Sequence, residues 1–232
     1  MAEVLVVVAA GPGLGRAVAL RFAREGFAVG LVARSPDRLS GLAAEVTAAG
    51  SPSVAVAGAD VGEEDALRAA LRQVAGELGP ATVLVFNGSA YVEGSGLSIS
   101  AADLRSALDV GVVGAMVAAQ EVAAAMRAVG RGTVILTGSV AADRASTSAT
   151  AVGVAKAGLR NFGLSLHKEL APEGVRVTTV TINGVLSGAK ALDVAAIADR
   201  YWQLHSASEP PEAVTTFPMA DPEGNLICLV AD

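Results

Sequence analysis

A doubly wound α/β fold, with one parallel sheet covered by helices on both faces, is what this 232-residue sequence predicts. Three observations point there. Short runs rich in Val and Ala alternate with longer segments of helical period, the pattern of β-α-β units whose strands are buried on both sides. The first such run passes directly into a glycine-rich turn and then a helix. The length suits a single three-layer domain of ~200 to 250 residues better than two separate ones.

Strands are expected near Val4–Ala9, Ala28–Ala33, Ser53–Ala57, Thr82–Phe86, Gly132–Thr137 and Arg176–Thr181, with helices near 13–25, 36–49, 63–78, 101–129 and 148–171. The helix starts are punctuated. Ser35-Pro36 offers an N-cap and a first-turn proline, and Ser100 with Asp103 three residues on reads as a capping box. After Gly184 the pattern weakens to a helix from about Ala189 to His205 and the segment Ser208-Glu209-Pro210-Pro211.

Composition excludes several classes. Hydrophobic residues make up 52% of the chain, yet no uninterrupted apolar stretch approaches the ~20 residues of a membrane span. Glu3 stands where a secretory leader would carry positive charge, so the opening run reads as a strand of a soluble protein. A net charge of −6 with 17 scattered basic residues gives no stripe for a phosphate backbone, so nucleic acid and membrane are not expected partners. One cysteine, Cys228, and two distant histidines, His167 and His205, argue for a reducing cytoplasm and against a metal site.

The first strand runs into Ala10-Gly11-Pro12-Gly13-Leu14-Gly15-Arg16. Strand, tight turn and helix together form an anion site: glycine lets a diphosphate approach the backbone, and the helix N-terminus offers unpaired N–H groups. Gly11, Gly13, Leu14 and Gly15 are therefore candidate coenzyme contacts. At the end of the second strand, an acid would bind the ribose hydroxyls of NAD and a basic group a 2′-phosphate. The segment is Ala33-Arg34-Ser35-Pro36-Asp37-Arg38. Arg34 suits bidentate phosphate pairing and Ser35 opens a helix, which predicts NADP(H) over NAD(H). The alternative leaves Arg34 solvated and gives the ribose to Asp37.

With these residues the chain resembles the short-chain dehydrogenase/reductase family, with its Rossmann-type domain. The family turn reads T-G-x-x-x-G-x-G. Gly13 and Gly15 match its last two glycines, Val8 and Ala9 replace the leading Thr-Gly, and Gly11 is expected to compensate. The resemblance continues through Asp60-Val61, where the family contacts adenine, and Asn87-Gly88-Ser89, where it has N-A-G. It includes Ser139, Lys156 and Ile182-Asn183-Gly184 in place of N-P-G, and covers residues 4 to about 188. The implied division is a dinucleotide-binding part with its cleft, 1–188, and a substrate-side helix and terminal strand or hairpin of the same domain, 189–232.

The resemblance implies that Ser139 orients a substrate oxygen and that Lys156 binds the nicotinamide ribose. It also implies a tyrosine four residues before the lysine and an asparagine on the preceding long helix. Val152 and Gly111 stand at those places. Valine has no proton to give, and general acid assistance is worth ~10² to 10⁴ in rate. Tyr91, after the fourth strand, is the candidate substitute acid; Asp143 and Arg144 are alternatives. The plainer readings keep Lys156 as a surface cation, Ser139 as a turn cap, and both histidines as packing or surface residues. Tyr201-Trp202 reads as an aromatic anchor over the pocket mouth.

Thr215–Ala220 and Leu226–Val230 flank a turn composition, Asp221-Pro222-Glu223-Gly224-Asn225, and predict a hairpin. The fragment looks like the closing hairpin of vicinal-oxygen-chelate proteins such as glyoxalases, whose His and carboxylate ligands this chain does not supply. In the alternative, Leu226–Val230 is the seventh strand or pairs with a neighbouring subunit. The leading functional expectation is an NADP(H)-dependent oxidoreductase of a small carbonyl or alcohol with a nonstandard proton path. Its competitors are a degenerate dinucleotide-binding protein and a non-redox isomerase, cyclase or lyase. Small residues on the helices at 101–129 and 148–171, with the resemblance, imply a homodimer or homotetramer.

Overall fold

Seven strands, all parallel, form one sheet in the order β3-β2-β1-β4-β5-β6-β7 in a computed structural model that describes residues 2–186 and 192–218. The strands are β1 Val4–Val8, β2 Ala28–Ala33, β3 Val54–Gly58, β4 Val83–Phe86, β5 Gly132–Ser139, β6 Val175–Ile182 and β7 Val214–Phe217. Their alternation divides the core. Val4, Val6 and Val8 face one side, against α3 (Glu64–Leu78), α5 (Gly114–Val129) and α6 (Thr150–Leu170). Leu5 and Val7 face the other, against α1 (Leu14–Ala23), α2 (Ser40–Ala48) and α7 (Val194–Ser206). Leu5, Val7 and Val8 are fully buried, each contributing ~1.5–3 kcal/mol.

The six strands and five helices expected before Gly184 are all present, with ends moved by a few residues. Three features differ in kind. Ser35 makes no capping bond, and Pro36–Leu39 is a 3-10 turn ahead of α2. By contrast Ser100 and Asp103 form the full capping box at the start of α4 (Ala101–Leu108). The single helix expected over 101–129 is α4 and α5 joined through a π-helical segment, Asp109–Val113. That continuous stretch is long and apolar enough to span a membrane, but Ala115, Val117, Ala118, Ala119, Val122 and Met126 bury it against the sheet. It is a core helix.

The tail also departs from expectation. Thr215 to Phe217 belongs to β7, which pairs in parallel with β6 from Thr179↔Val214 to Ile182↔Phe217, so this segment occupies the seventh strand position. A hairpin arm would need an antiparallel neighbour from beyond Pro218, and Leu226–Val230 lies outside the described residues. The late helix begins at Val194; Ala189 is also outside them.

Candidate functional site

β4 ends at Phe86, where its pairing with β5 stops at Leu136, while β5 continues beside β6 to Ser139. The carboxyl ends of β4 and β5 therefore part, and a cleft of about 1270 Å³ runs along the same edge of the sheet past the ends of β1, β2, β3 and β4. Its walls include Gly11, Arg34, Ser35, Asp60, Val61 and Tyr91 among the sequence-predicted residues. Ligands of open α/β sheets bind at such carboxyl edges.

Ala9 carries the turn between β1 and α1 with φ +60°, a left-handed backbone at a non-glycine residue. The reversal is forced at this position because Asn87 N–H bonds Val8 O at 3.0 Å and the very next amide, Ala10 N–H, must reach Val32 O at 2.9 Å. Gly11 does not take up the positive φ. An L-residue in this conformation costs ~1–2 kcal/mol. The remaining glycines fit a dinucleotide. A Cβ at Gly11 or Gly13 would project into open space, and one at Gly15 would lie 3.0 Å from Ala10 Cα. Open space at Gly11 and Gly13 admits a diphosphate, and the close approach at Gly15 seats α1 on the turn. Gly13 caps α1 without a side chain, leaving the first-turn amides of Leu14 and Gly15 uncapped.

Arg34 and Ser35 are exposed on the cleft wall, together with Arg38 and Arg16. Arg16 is paired with Glu45 at 2.5 Å. Asp37 is exposed on the same turn, between Pro36 and Arg38. Opposite, Asp60 accepts from Gly62 N–H at 3.0 Å, which fixes the loop after β3. Gly114 sits under this loop, where a Cβ would meet Val61 O at 2.7 Å.

Lys156 and Ser139 do not line this cleft, and Lys156 is buried, contrary to the surface reading. Its Nζ donates to Thr137 O at 2.8 Å and Gly88 O at 3.3 Å. These carbonyls are available because β4 has ended. Burial pushes the ammonium down to about 8, and two bonds leave it a third N–H for a ligand. Ser139 Oγ accepts from Ala141 N–H at 3.1 Å, so it does cap a turn, while its own proton remains to be given. Asp143 is not a proton donor: Arg160 grips both carboxylate oxygens and holds the group below the usual carboxylate range. Arg144 is exposed on the same loop, outside the cleft wall. Tyr91 is 68% exposed and lines the cleft beside Ser89 and Ala90.

Asn183 N–H donates to Phe217 O at 2.8 Å, tying the β6 exit to β7. Gly184 abuts Leu192, whose Cδ1 would lie 2.8 Å from a Cβ there. Gly88 packs under Phe86, whose ring would be 2.6 Å from a Cβ. Neither these three residues nor Asn87 lines the cleft.

A profile of the short chain dehydrogenase family matches residues 3–195. The chain belongs to the short chain dehydrogenase family. Over 184 residues it is 35% identical to (2S)-[(R)-hydroxy(phenyl)methyl]succinyl-CoA dehydrogenase subunit BbsC of Thauera aromatica, covering 79% of this chain and 72% of that one. It is 31% identical over 179 residues to the 2-dehydro-3-deoxy-L-rhamnonate dehydrogenase (NAD(+)) of a Sphingomonas strain, covering 76% and 69%. A metagenomic short-chain oxidoreductase solved in complex with NADP superposes with a TM-score of 0.84 at 27% identity, covering 92% and 96%. These relatives make this short chain dehydrogenase an oxidoreductase by family, on the fold that binds a nicotinamide dinucleotide.

Sequence reasoning missed three things in this short chain dehydrogenase. Ala102, Arg105, Ser106, Asp109 and Val110 line the cleft from one face of α4 and the turn that follows it, and their i, i+3, i+4, i+7, i+8 spacing was legible. The Asp143–Arg160 pair joins residues 17 apart on different elements and left no local signal. Trp202 does not cover the pocket mouth. It packs edge-on against Phe22 and Phe27, with Arg21 5.0 Å over its ring, at the amino edge of the sheet. His205 closes that cluster and bonds Thr133 Oγ1, and His167 Nδ1 lies 2.8 Å from Val177 O, so both histidines serve packing.

Proposed function

We propose that this chain is an NADP(H)-dependent oxidoreductase of a small or medium carbonyl or alcohol, in which Tyr91 serves as acid where Val152 cannot. The observation that carries this reading is that Tyr91 lines the same cleft as the glycine turn and Arg34, while Asp143 is withheld by Arg160. When bound, the coenzyme supplies the hydride. Gly11, Gly13 and the α1 amides receive the diphosphate. Arg34, Ser35 and Arg38 receive the 2′-phosphate. Lys156 offers its remaining N–H to the nicotinamide ribose. Ser139 orients the substrate oxygen by a hydrogen bond from its hydroxyl and keeps its proton, and Tyr91 delivers the single proton that the alkoxide needs, regaining it from solvent. A homodimer or homotetramer through α5 and α6, where Val154 and Leu164 are exposed, in the cytoplasm, completes the proposal.

A second reading has the chain bind the dinucleotide without turning it over. Val152 and Gly111 favour it, because neither can relay a proton. The deciding experiment titrates the purified chain with NADPH and NADH by fluorescence, then follows coenzyme oxidation over a carbonyl panel for the natural chain, Tyr91→Phe and Val152→Tyr. The oxidoreductase reading expects tighter NADPH binding, slow turnover lost in Tyr91→Phe, and a rise of ~10² to 10⁴ in Val152→Tyr. Turnover only after Val152→Tyr selects the binder. Preferential NADH binding overturns the coenzyme assignment.

A further inference from the structure

Side chains from opposite layers of the domain meet on Thr137. The Thr133 amide bonds Thr82 O at 3.0 Å, so every second residue of β5 turns its backbone toward β4. That pairing ends at Phe86↔Leu136. Thr137 O therefore points to where β4 would have continued, and Lys156 Nζ, reaching over from α6, takes the place at 2.8 Å. The Thr137 side chain leaves the sheet on the other face, and its Oγ1 lies 2.9 Å from Oη of Tyr201 on α7.

From Thr137↔Val180 to Ser139↔Ile182 the strand is paired on its β6 side alone, so this half-paired end depends on side chains for the rest of its hold. Tyr201 is fully buried, and burial pushes its phenol above the ordinary tyrosine range, which keeps it a neutral hydroxyl. Neither hydroxyl has another partner among the described residues. A threonine hydroxyl left free turns to nearby backbone groups. The Tyr201 bond thus also keeps Thr137 Oγ1 from competing for the carbonyls that this end leaves unpaired. The lysine's own state is set by burial. Of the ionisable groups on the elements around it, Asp143 and Arg160 are taken up with each other, and Tyr91, Glu93 and Asp109 are exposed.

We propose that Tyr201 is a positioning residue for Lys156: its hydroxyl pins Thr137, and Thr137 O sets where the ammonium stands for the coenzyme. This rests on the coenzyme reading above and brings α7 into the support of the nicotinamide end. The ring of Tyr201 fills the core, as a phenylalanine would; the hydroxyl is what reaches β5.

The test follows the Lys156 titration by carbon-13 NMR of its Cε and measures NADPH dissociation constants across pH. The chains compared are the natural one, Tyr201→Phe, Thr137→Val, Thr137→Ser and the Tyr201→Phe/Thr137→Val double variant. Tyr201→Phe is expected to move the lysine's titration up from about 8 toward the ordinary 10.5 and to weaken NADPH near neutral pH by roughly three- to tenfold. Thr137→Val should do the same, and the double variant should be no worse than either, since both remove one bond. Thr137→Ser, which keeps the hydroxyl, should match the natural chain. A lower denaturation midpoint with the lysine's titration unmoved makes the pair a structural bond alone and overturns the inference. Losses that multiply in the double variant, or a Thr137→Ser chain that behaves like Thr137→Val, overturn it as well. Should Tyr201→Phe fail to fold, Thr137→Val against Thr137→Ser decides by the same shift. A natural chain that binds no coenzyme removes the coenzyme reading, and the NMR titration still decides whether Tyr201 places the lysine.

Discussion

The carboxylate of Asp143 lies in the fork of the Arg160 guanidinium, Oδ1 on Nη1 and Oδ2 on Nη2. This pair closes the loop after β5 onto α6 and reaches β6 through Arg160 Nη2 and Thr181 Oγ1 at 3.1 Å. It also withholds the Asp143 carboxyl from proton chemistry. Asp143→Asn is therefore expected to leave coenzyme turnover unchanged and to cost ~0.5 kcal/mol at pH 7, the scale of a screened, half-exposed pair. The folded carboxyl titrates below its ordinary 3.8, so its contribution is present above pH ~4 and is lost as pH falls through the lower folded value. Denaturation curves at pH 7 and pH 3 should show the difference between natural chain and variant shrinking. A tenfold loss of turnover in Asp143→Asn would restore it as an acid.

Ala9→Gly should stabilise the protein. At most positions glycine costs ~0.5–1 kcal/mol through backbone entropy, but relief of the left-handed strain at φ +60° is worth ~1–2 kcal/mol. The net expectation is a gain of ~0.5–1 kcal/mol, read as a higher urea midpoint at unchanged slope. A lower midpoint would mean that Cβ packing at Ala9 outweighs the strain.

Lys156 predicts a pH dependence of stability with a definite sign. Its folded value of about 8 lies below the ordinary 10.5, so burial penalises the charged form. The penalty is complete below pH 8 and fades as the unfolded chain's lysine loses its proton near pH 10.5. Relative to Lys156→Met, the natural protein should gain stability between pH 8 and pH 10.5, by ~3 kcal/mol at most. Coenzyme affinity should run the other way: NADPH binding to the natural chain weakens as pH rises through about 8, and Lys156→Met shows no such step. Parallel pH profiles for the two proteins would refute the assignment.

Gly111→Asn, the change that would return the family's asparagine, meets a steric obstacle. A Cβ at Gly111 would stand 3.2 Å from the Cβ of Ala155 on α6. The substitution should cost ~1–3 kcal/mol by overpacking. In a double-mutant cycle, the cost should be smaller in an Ala155→Gly background, since the obstructing methyl is gone. An additive cycle would show that the two helices shift apart freely.

Much of the sheet was legible because buried parallel strands must be continuous apolar runs, as in Val4–Val8 and Val83–Phe86. The turn from β1 into α1 was legible for a related reason: a strand, clustered glycines and a helix start act through local backbone and chain order. Lys156 and Asp143 were not, because their states depend on partners brought by the tertiary fold. The lysine's two carbonyls come from the parting of β4 and β5, and the aspartate's guanidinium from a helix face. β7 illustrates the same limit. Val214–Phe217 has no pattern that tells a seventh parallel strand from a hairpin arm, and pairing with Thr179–Ile182 decides it.

Gly94 N–H donates to Ser148 O at 2.9 Å and Thr150 N–H returns to Gly94 O at 3.2 Å, so the loop bearing Tyr91 is stapled to the first turn of α6. Swinging that loop away would break both bonds and fray the helix that carries Val152 and Lys156. The entropy of ordering this rim is consequently lost when the chain folds, before any ligand arrives. A substrate therefore meets a preset aperture, and size selection should appear in association rates as a sharp cutoff with molecular width.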